Sequence, residues 1–467
     1  MPAAWAASIR IENLEPRPCG AKTGESKETI VPEAPEVKVV EPQTGEAVAV
    51  DRSVDARGLS SLALLMGLGW LGTNLGIAVA DLPLKFLLKD NLHCTAAMVS
   101  MFFALGAFTN YIKPLAGVLV DSVPLFGTRR RWYLILSLLG SGVFWILLAI
   151  VPRTYNILLV TYAILYVTIV FTSTSLGGVM VEVGQRFNAA GRLTAQRIGA
   201  FRLGSLLGGP IGGYLSSARF IAAMGPAYFL VTMGVASFLH LILVPLYYFG
   251  LPEPPTAKLD RSVLVEALRQ FKILLRSTTL LSAALMICLI AASPGFGTPL
   301  LFHQTNTLHF DKTFVGILVL VAAATGLLTT FVYYAACRKL NLRVLVSGSI
   351  VIHALGTLTY LYYHNATSAI AITAISGVTG TLAMLPVYDL AARGTPKGSE
   401  AIGYAVMMSV WNLTNALSDW IGSVLFTNYH LTFRDLVWVN AGTTVLVLIV
   451  VPFLPLALMS RSDGASA

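Results

Sequence analysis

The chain has 467 residues, of which 55% are hydrophobic and only 12% charged, about half the charge of an average soluble domain. That balance excludes nucleic-acid binders and secreted, disulfide-stapled scaffolds and marks a membrane protein. The net charge of +9 therefore needs a topological explanation, and Cys19, Cys94, Cys288 and Cys337 lie too far apart, with no CxxC or Cys/His spacing, to suggest a zinc site or a disulfide framework.

Residues 1–58 read as a disordered, net acidic tail, rich in Glu, Pro, Lys and Val without periodicity. The tail has none of the marks of a signal peptide and is expected to remain outside the membrane. Beyond it, about twelve segments approach the roughly 20 apolar residues that a membrane-crossing helix needs. They run from Ser60 to Leu87, Ala96 to Val120, Trp132 to Val151, Tyr155 to Val181, Leu193 to Ser216 and Gly225 to Phe249. After a gap come Leu280 to Phe302, Thr313 to Ala336, Val344 to Tyr363, Ser368 to Leu390, Glu400 to Thr427 and Leu436 to Met459. The fold class is thus all-α, with six spans in 59–250, a linker over 251–279 whose amphipathic stretch lies along the membrane surface, six spans in 280–460 and a short tail over 461–467.

Alternate connections collect Arg129 to Arg131, Arg186 and Arg192, Lys258 to Arg276, Arg338 to Arg343, and Arg393 with Lys397, while the others hold scattered single charges. The positive-inside rule then places both termini and the basic loops in the cytoplasm of a multi-pass cell-membrane protein. No basic loop carries interleaved aromatics, so nucleic acid is not an expected partner.

The two halves carry an internal repeat. PLKFLLKDNLHCTAAMV from Pro83 aligns without gaps on PLLFHQTNTLHFDKTFV from Pro299, and the ExxxR of Glu182 and Arg186 corresponds to the DxxxR of Asp389 and Arg393. Parallel halves of this kind suit alternating access to a site near the bilayer midplane. The architecture resembles the major facilitator superfamily, and GVLVDSVPLFGTRRRWYL resembles its signature loop, with Gly117, Asp121, Gly127, Arg129, Arg130 and Arg131 as gating residues beside Arg186, Asp389 and Arg393. Gly117 is expected to let helices approach closely, and the guanidiniums to change partners as the halves rock.

Ionisable residues within spans are costly and become candidates by default. Lys113, about 12 Å deeper than Asp121 on one helix at 1.5 Å per residue, and Arg202 suit a substrate carboxylate. Asn412 and Asn415 form a polar stripe with Asp419, giving four substrate-binding candidates and, in Asp81, Glu182 and Asp419, three possible proton carriers. His240 and His303 are weaker candidates, and Trp70, Tyr111, Trp145, Tyr388 and Trp411 could stack on a flat ring. Gly204, Gly208 and Gly212 have GxxxG spacing for close packing. GSLLGGPIGGYL also looks like the motif of drug/proton antiporters, short of one residue.

A narrower resemblance, to the folate/biopterin transporter family, lies in the stretch from Pro83 through IKPLAG and DSVPLFGTRRR, with looser matches in TPLLFHQTNTLHFDKTFVGIL and VMVEVGQR. It implies a proton-linked carrier of folates and pterins. Two aspartates of that pattern are replaced here by Ser173 and Gly177, while Glu182 remains. The resulting expectation is a secondary active transporter for a folate, pterin or related anionic heterocycle. It works as a monomer with protons, a small-molecule substrate and the bilayer as partners, and with no cofactor or metal. A drug or metabolite antiporter is the alternative. A polytopic enzyme is disfavoured for want of a convergent His/Asp or metal-bearing loop, and a channel by the two-fold repeat.

Overall fold

The computed structural model describes residues 52–187, 190–251, 253, 261–274, 276–337, 340, 342–393 and 400–453. Residues 1–51 of the expected tail and the C-terminal segment 461–467 lie outside the described residues. The first helix, α1 (Arg52–Phe86), begins within the stretch read as tail. The second predicted span is shared by α2 (Ala96–Gly106) and α3 (Lys113–Ser122), and the next three are α4 (Arg131–Ile150), α5 (Tyr155–Arg186) and α6 (Ala190–Leu215). A short α7 (Ala218–Met224) leads into α8 (Tyr228–Leu241) and α9 (Leu243–Gly250), and α10 (Arg261–Leu274) occupies the linker. The second half holds α11 (Thr278–Ala291), α12 (Gly297–Phe302), α13 (Lys312–Cys337), α14 (Leu342–Leu358), α15 (Ala366–Arg393), α16 (Glu400–Thr427) and α17 (Phe433–Leu446).

Every predicted range holds helix, and no strand occurs among the described residues. Among the described residues, seven helical stretches are long and apolar enough to cross a membrane unaided. The remaining ranges fall short for visible reasons. Arg192, Arg197 and Arg202 load α6 with charge, and α16 carries polar residues from Asn412 to Asp419.

Two spans are broken. Pro114 sits in the first turn of α3, where its missing N–H is tolerated but a continuous helix is not. The phenol of Tyr111 donates to Ala104 O at 2.7 Å, satisfying a carbonyl near the break. The seventh span breaks at Ser293 to Phe296, and its freed backbone is held by other helices: Gly295 N donates to Ser418 O at 2.9 Å, and the Asn440 amide donates to Pro294 O at 2.9 Å. Irregular backbone at membrane depth survives only with such partners.

The packing repeats between halves. In the first, α4 lies between α5 and α8, and in the second α14 lies between α15 and α17. The halves meet where α2 packs on α16 and α6 on α13, and a two-fold exchange of halves converts one of these contacts into the other. The backbone reproduces the sequence repeat in detail. The first and seventh spans end in π-helical turns, Leu87–Asn91 and His303–Thr307. Leu92 N donates to Leu87 O and Cys94 N to Leu88 O, just as Leu308 N donates to His303 O and Phe310 N to Gln304 O. His93 and His309 both adopt φ of 53°, uncommon for residues other than glycine. Chance similarity of two helix ends does not produce the same left-handed residue at the same aligned position.

The glycines of α6 line two faces. Gly204, Gly208 and Gly212 pack on α1, as their spacing predicts, and Gly209 and Gly213 pack on α13 of the other half. A Cβ at Gly213 would come within 2.8 Å of Gly316 Cα, and one at Gly316 within 2.9 Å of Gly213 Cα, so the two helices touch backbone to backbone.

Candidate functional site

The side of the molecule that carries the Arg129 to Arg131 loop is the basic side, and His93 and His309 mark the far side. On the basic side the chain turns sharply between α3 and α4. Leu125 and Thr128 exchange both backbone hydrogen bonds at 2.9 Å, with φ of 47° at Phe126 and 79° at Gly127. Positive φ at both central residues is the type I′ pattern, and it explains Gly127. Gly117 needs a different account from the one expected. A Cβ there would meet Thr174 Cγ2 at 3.5 Å, ordinary contact, so close helix approach does not require it.

Arg130 leaves this turn and bridges two carboxylates, Asp121 at 3.0 Å and Glu182. The three groups come from α3, the start of α4 and α5. Gly178 makes room for the bridge, since a Cβ there would lie 2.5 Å from Arg130 Nε. Glu182 thus pairs with Arg130 at an exposed helix end, 66% accessible. Arg186, Asp389 and Arg393 lie at helix ends on the same side, in α5 and α15.

Sequence reasoning missed the residue that holds the turn. The carboxylate of Glu253, just after α9, accepts the backbone N–H groups of Arg129 at 3.0 Å, Arg130 at 3.0 Å and Arg131 at 2.7 Å. These are orphan donors at the start of α4, and an anion there also meets the positive end of the helix dipole. Arg131 in turn donates to Tyr248 O and lies 5.1 Å over the Tyr248 ring. A backbone-directed cap from a distant segment leaves no sequence motif. Glu253→Ala is expected to cost about 1–2 kcal/mol, in the range of lost helix caps, and Glu253→Gln to recover part of it. Melting temperatures of the two purified variants check this.

Deeper, Lys113 opens α3 and its ammonium donates to Ser173 Oγ of α5. Its electrostatic neighbour is Arg197 of α6, whose guanidinium lies 4.5 Å over the Trp70 ring of α1. The phenol of Tyr388 of α15 is an electrostatic neighbour of both Arg197 and Arg202, and the phenol of Tyr404 of α16 is one of Arg197. Tyr388 also meets Trp411 edge to face, with centroids 6.3 Å apart. A methyl group added at Gly326 of α13 would sit 3.5 Å from Arg202 Nη1. Three cations and four aromatic rings from both halves are therefore gathered together. Arg197 and Tyr404 were not singled out from the sequence. Arg197 stands five residues before Arg202 in a span otherwise built of small and apolar residues, and that spacing was the available signal. A charged side chain at the centre of a span costs roughly 2.5–3.5 kcal/mol, so three cations here imply a function.

A second polar group lies toward the far side. Asp81 pairs with Lys85 at 2.8 Å, one turn apart on α1, and Tyr162 and Tyr166 lie beside them. Asp419 spends both oxygens on Thr298, accepting its N–H at 2.9 Å and its hydroxyl at 2.6 Å. It thereby caps α12 from α16. Asn415 is exposed and donates to Trp411 O within its own helix, while Asn412 is half-buried. Trp145 and His240 are buried in the core of the first half, centroids 6.1 Å apart, and His303 stacks on Phe433 at 4.5 Å. None of these last four rings joins the cation cluster.

At the far side itself Asp90 bridges the halves, 3.0 Å from Lys89 and 2.6 Å from Lys312 of α13. Leu82 and Phe86 pack there on Leu301 and Val315. Cavities of about 440 and 400 Å³ open nearby, one beside Asp311 and Lys312, the other among His303, Tyr360, Phe433 and Arg434.

Residues 75–462 match the BT1 family. The chain belongs to the BT1 family. A folate-biopterin transporter of Synechocystis sp. is 31% identical over 400 residues, covering 81% of this chain and 78% of that protein. Folate transporter 1 of Plasmodium falciparum is 23% identical over 367 residues, covering 76% and 70%. Among solved structures, a D-xylose-proton symporter aligns with a TM-score of 0.66 at 14% identity, over 86% of this chain and 99% of that one. A bacterial homologue of the human lysosomal transporter Spinster aligns with a TM-score of 0.57 at 13% identity, over 88% and 98%. These likenesses show the major facilitator fold. The BT1 chain is a multi-pass membrane transporter rather than an enzyme.

Proposed function

We propose that this BT1-family protein is a secondary active transporter that moves a folate, pterin or related anionic heterocycle by alternating access. The observation that carries the reading is the cluster of Lys113, Arg197 and Arg202 with Trp70, Tyr388, Tyr404 and Trp411 between the halves. Guanidinium forks suit carboxylates and aromatic faces suit a flat ring. The names of the relatives, folate and folate-biopterin transporters, support the same substrate class.

The far-side clasp of Asp90 with Lys312 and the exposed Arg130 cluster support a state closed on the far side. In the proposed cycle that clasp parts as the basic side closes. We place the basic side in the cytoplasm of the cell membrane, with Arg130 changing partners between Asp121, Glu182 and groups of the second half. The halves, 59–250 and 280–460, are proposed to move as units. The glycines that look like an antiporter motif are occupied in packing on α1 and α13, and no observation favours drug efflux.

Proton coupling is assigned to Asp81. Glu182 pairs with Arg130 at an exposed helix end and Asp419 accepts two hydrogen bonds from Thr298, whereas Asp81 lies within the first span and its partner is a lysine on its own helix. Proteoliposomes should accumulate labelled folic acid when a proton gradient is applied. Asp81→Asn should abolish that accumulation while leaving exchange of labelled for unlabelled substrate intact. Gradient-driven uptake by the Asn variant would remove Asp81 from the coupling path, and absence of any folate or pterin movement in the unmodified protein would remove the substrate class.

A further inference from the structure

Four other cations of the bundle have carboxylate partners. Lys85 has Asp81 at 2.8 Å, Lys89 and Lys312 share Asp90 at 3.0 and 2.6 Å, and Arg130 has Asp121 at 3.0 Å and Glu182 beside it. The central cluster is different. Among the described residues, no ion pair within 4.0 Å involves Lys113, Arg197 or Arg202. Their described contacts are neutral: Ser173 for Lys113 and the Trp70 ring for Arg197, and the Tyr388 phenol is an electrostatic neighbour of both arginines.

We propose that Ser173 is the charge selector of this transporter, leaving three cations unneutralised so that the substrate is an anion bearing at least two carboxylates, preferred over analogues with the same ring and fewer charges. This selection rests on the proposed substrate class and deepens it. A neutral hydroxyl is the sole hydrogen-bond acceptor described for the Lys113 ammonium, at a point on α5 where a carboxylate would make a buried ion pair. A ligand with one carboxylate leaves at least two of the cations without a counter-charge in a low-dielectric interior, and each further carboxylate removes one such deficit. The aromatic rings hold the heterocycle but do not distinguish its charge state.

The test uses the full-length protein in detergent and a graded series of pteridines: biopterin with no carboxylate, pteroic acid with one, folic acid with two and pteroyl-diglutamate with three. Dissociation constants are measured by tryptophan fluorescence for the unmodified chain and for Ser173→Asp and Ser173→Ala, each first shown to be monodisperse. Affinity should rise at least tenfold from one carboxylate to two. A similar rise should follow from two carboxylates to three. Ser173→Asp should keep the first rise but flatten the second to threefold or less, because the new carboxylate pairs with Lys113 and leaves two cations, and Ser173→Ala should keep both. Equal affinity across the series would overturn the charge rule while the folate reading stands. An undiminished rise from two carboxylates to three in Ser173→Asp would overturn the role of Ser173. If no pteridine binds but aromatic di- and tricarboxylates do, with the same flattening in Ser173→Asp, the substrate reading falls and the charge rule holds. If no anion binds, both fall.

Discussion

Lys113→Ala is expected to weaken binding of anionic substrate by roughly thirtyfold to several thousandfold, the range that corresponds to about 2–5 kcal/mol for truncating one member of a buried charged pair. The unliganded protein should behave in the opposite sense. Its ammonium is held by a hydroxyl and faces Arg197, so removing it relieves both desolvation and like-charge repulsion. Melting temperature without ligand should therefore hold or rise, while the ligand-induced shift disappears. A fall in both would identify Lys113 as a structural strut, and unchanged affinity would place the substrate elsewhere.

Gly213→Leu should have the largest effect on assembly. The crossing of α6 and α13 brings Gly213 and Gly316 together at backbone distance, and a Cβ at Gly213 would also stand 2.8 Å from Lys312 O. Neither obstacle is a flexible side chain end, so the helices must separate. Overpacking in a core costs about 1–3 kcal/mol, and here the strain falls on a contact between halves, so transport should fail even where the protein survives purification. Gly234→Ala, where nothing lies within 4 Å of the added methyl, is the matched control. It should keep full transport and gain a little helix propensity. Equal melting temperatures and transport for the two variants would show that the crossing is slack.

The spans were legible because a membrane helix must be apolar over its whole length, and the repeat was legible because Pro83 and Pro299 begin the same pattern. The breaks were only half written. Pro114 in IKPLAG and Pro294-Gly295 are readable interruptions, yet the apolar runs continue across both, and it takes the partner groups on α16 and α17 to keep the second one open. The π turns carry no residue signature that periodicity can detect. At the site, Lys113, Arg202 and Tyr388 were visible as unusual residues at depth. Arg197 had only its spacing from Arg202 to mark it, and Tyr404 became visible only when helices far apart in sequence came together. Glu182 and Asp419 were legible as carboxylates but not as to partner, because Arg130 and Thr298 lie 52 and 121 residues away. Gly117 was given a steric role that its neighbours do not require.

Glu253 redraws the border between the first half and the connector. By sequence it belongs to the connector, yet its three accepted N–H groups bind it to α4 as firmly as any residue of the bundle. The connector is therefore not one free tether between the two halves. Glu253 is held by the first half, and in the proposed alternating-access cycle the hinge length is counted from beyond it. Any co-expression of the two halves as separate polypeptides has to cut the chain after that residue, since a cut before it would leave the start of α4 without its acceptor.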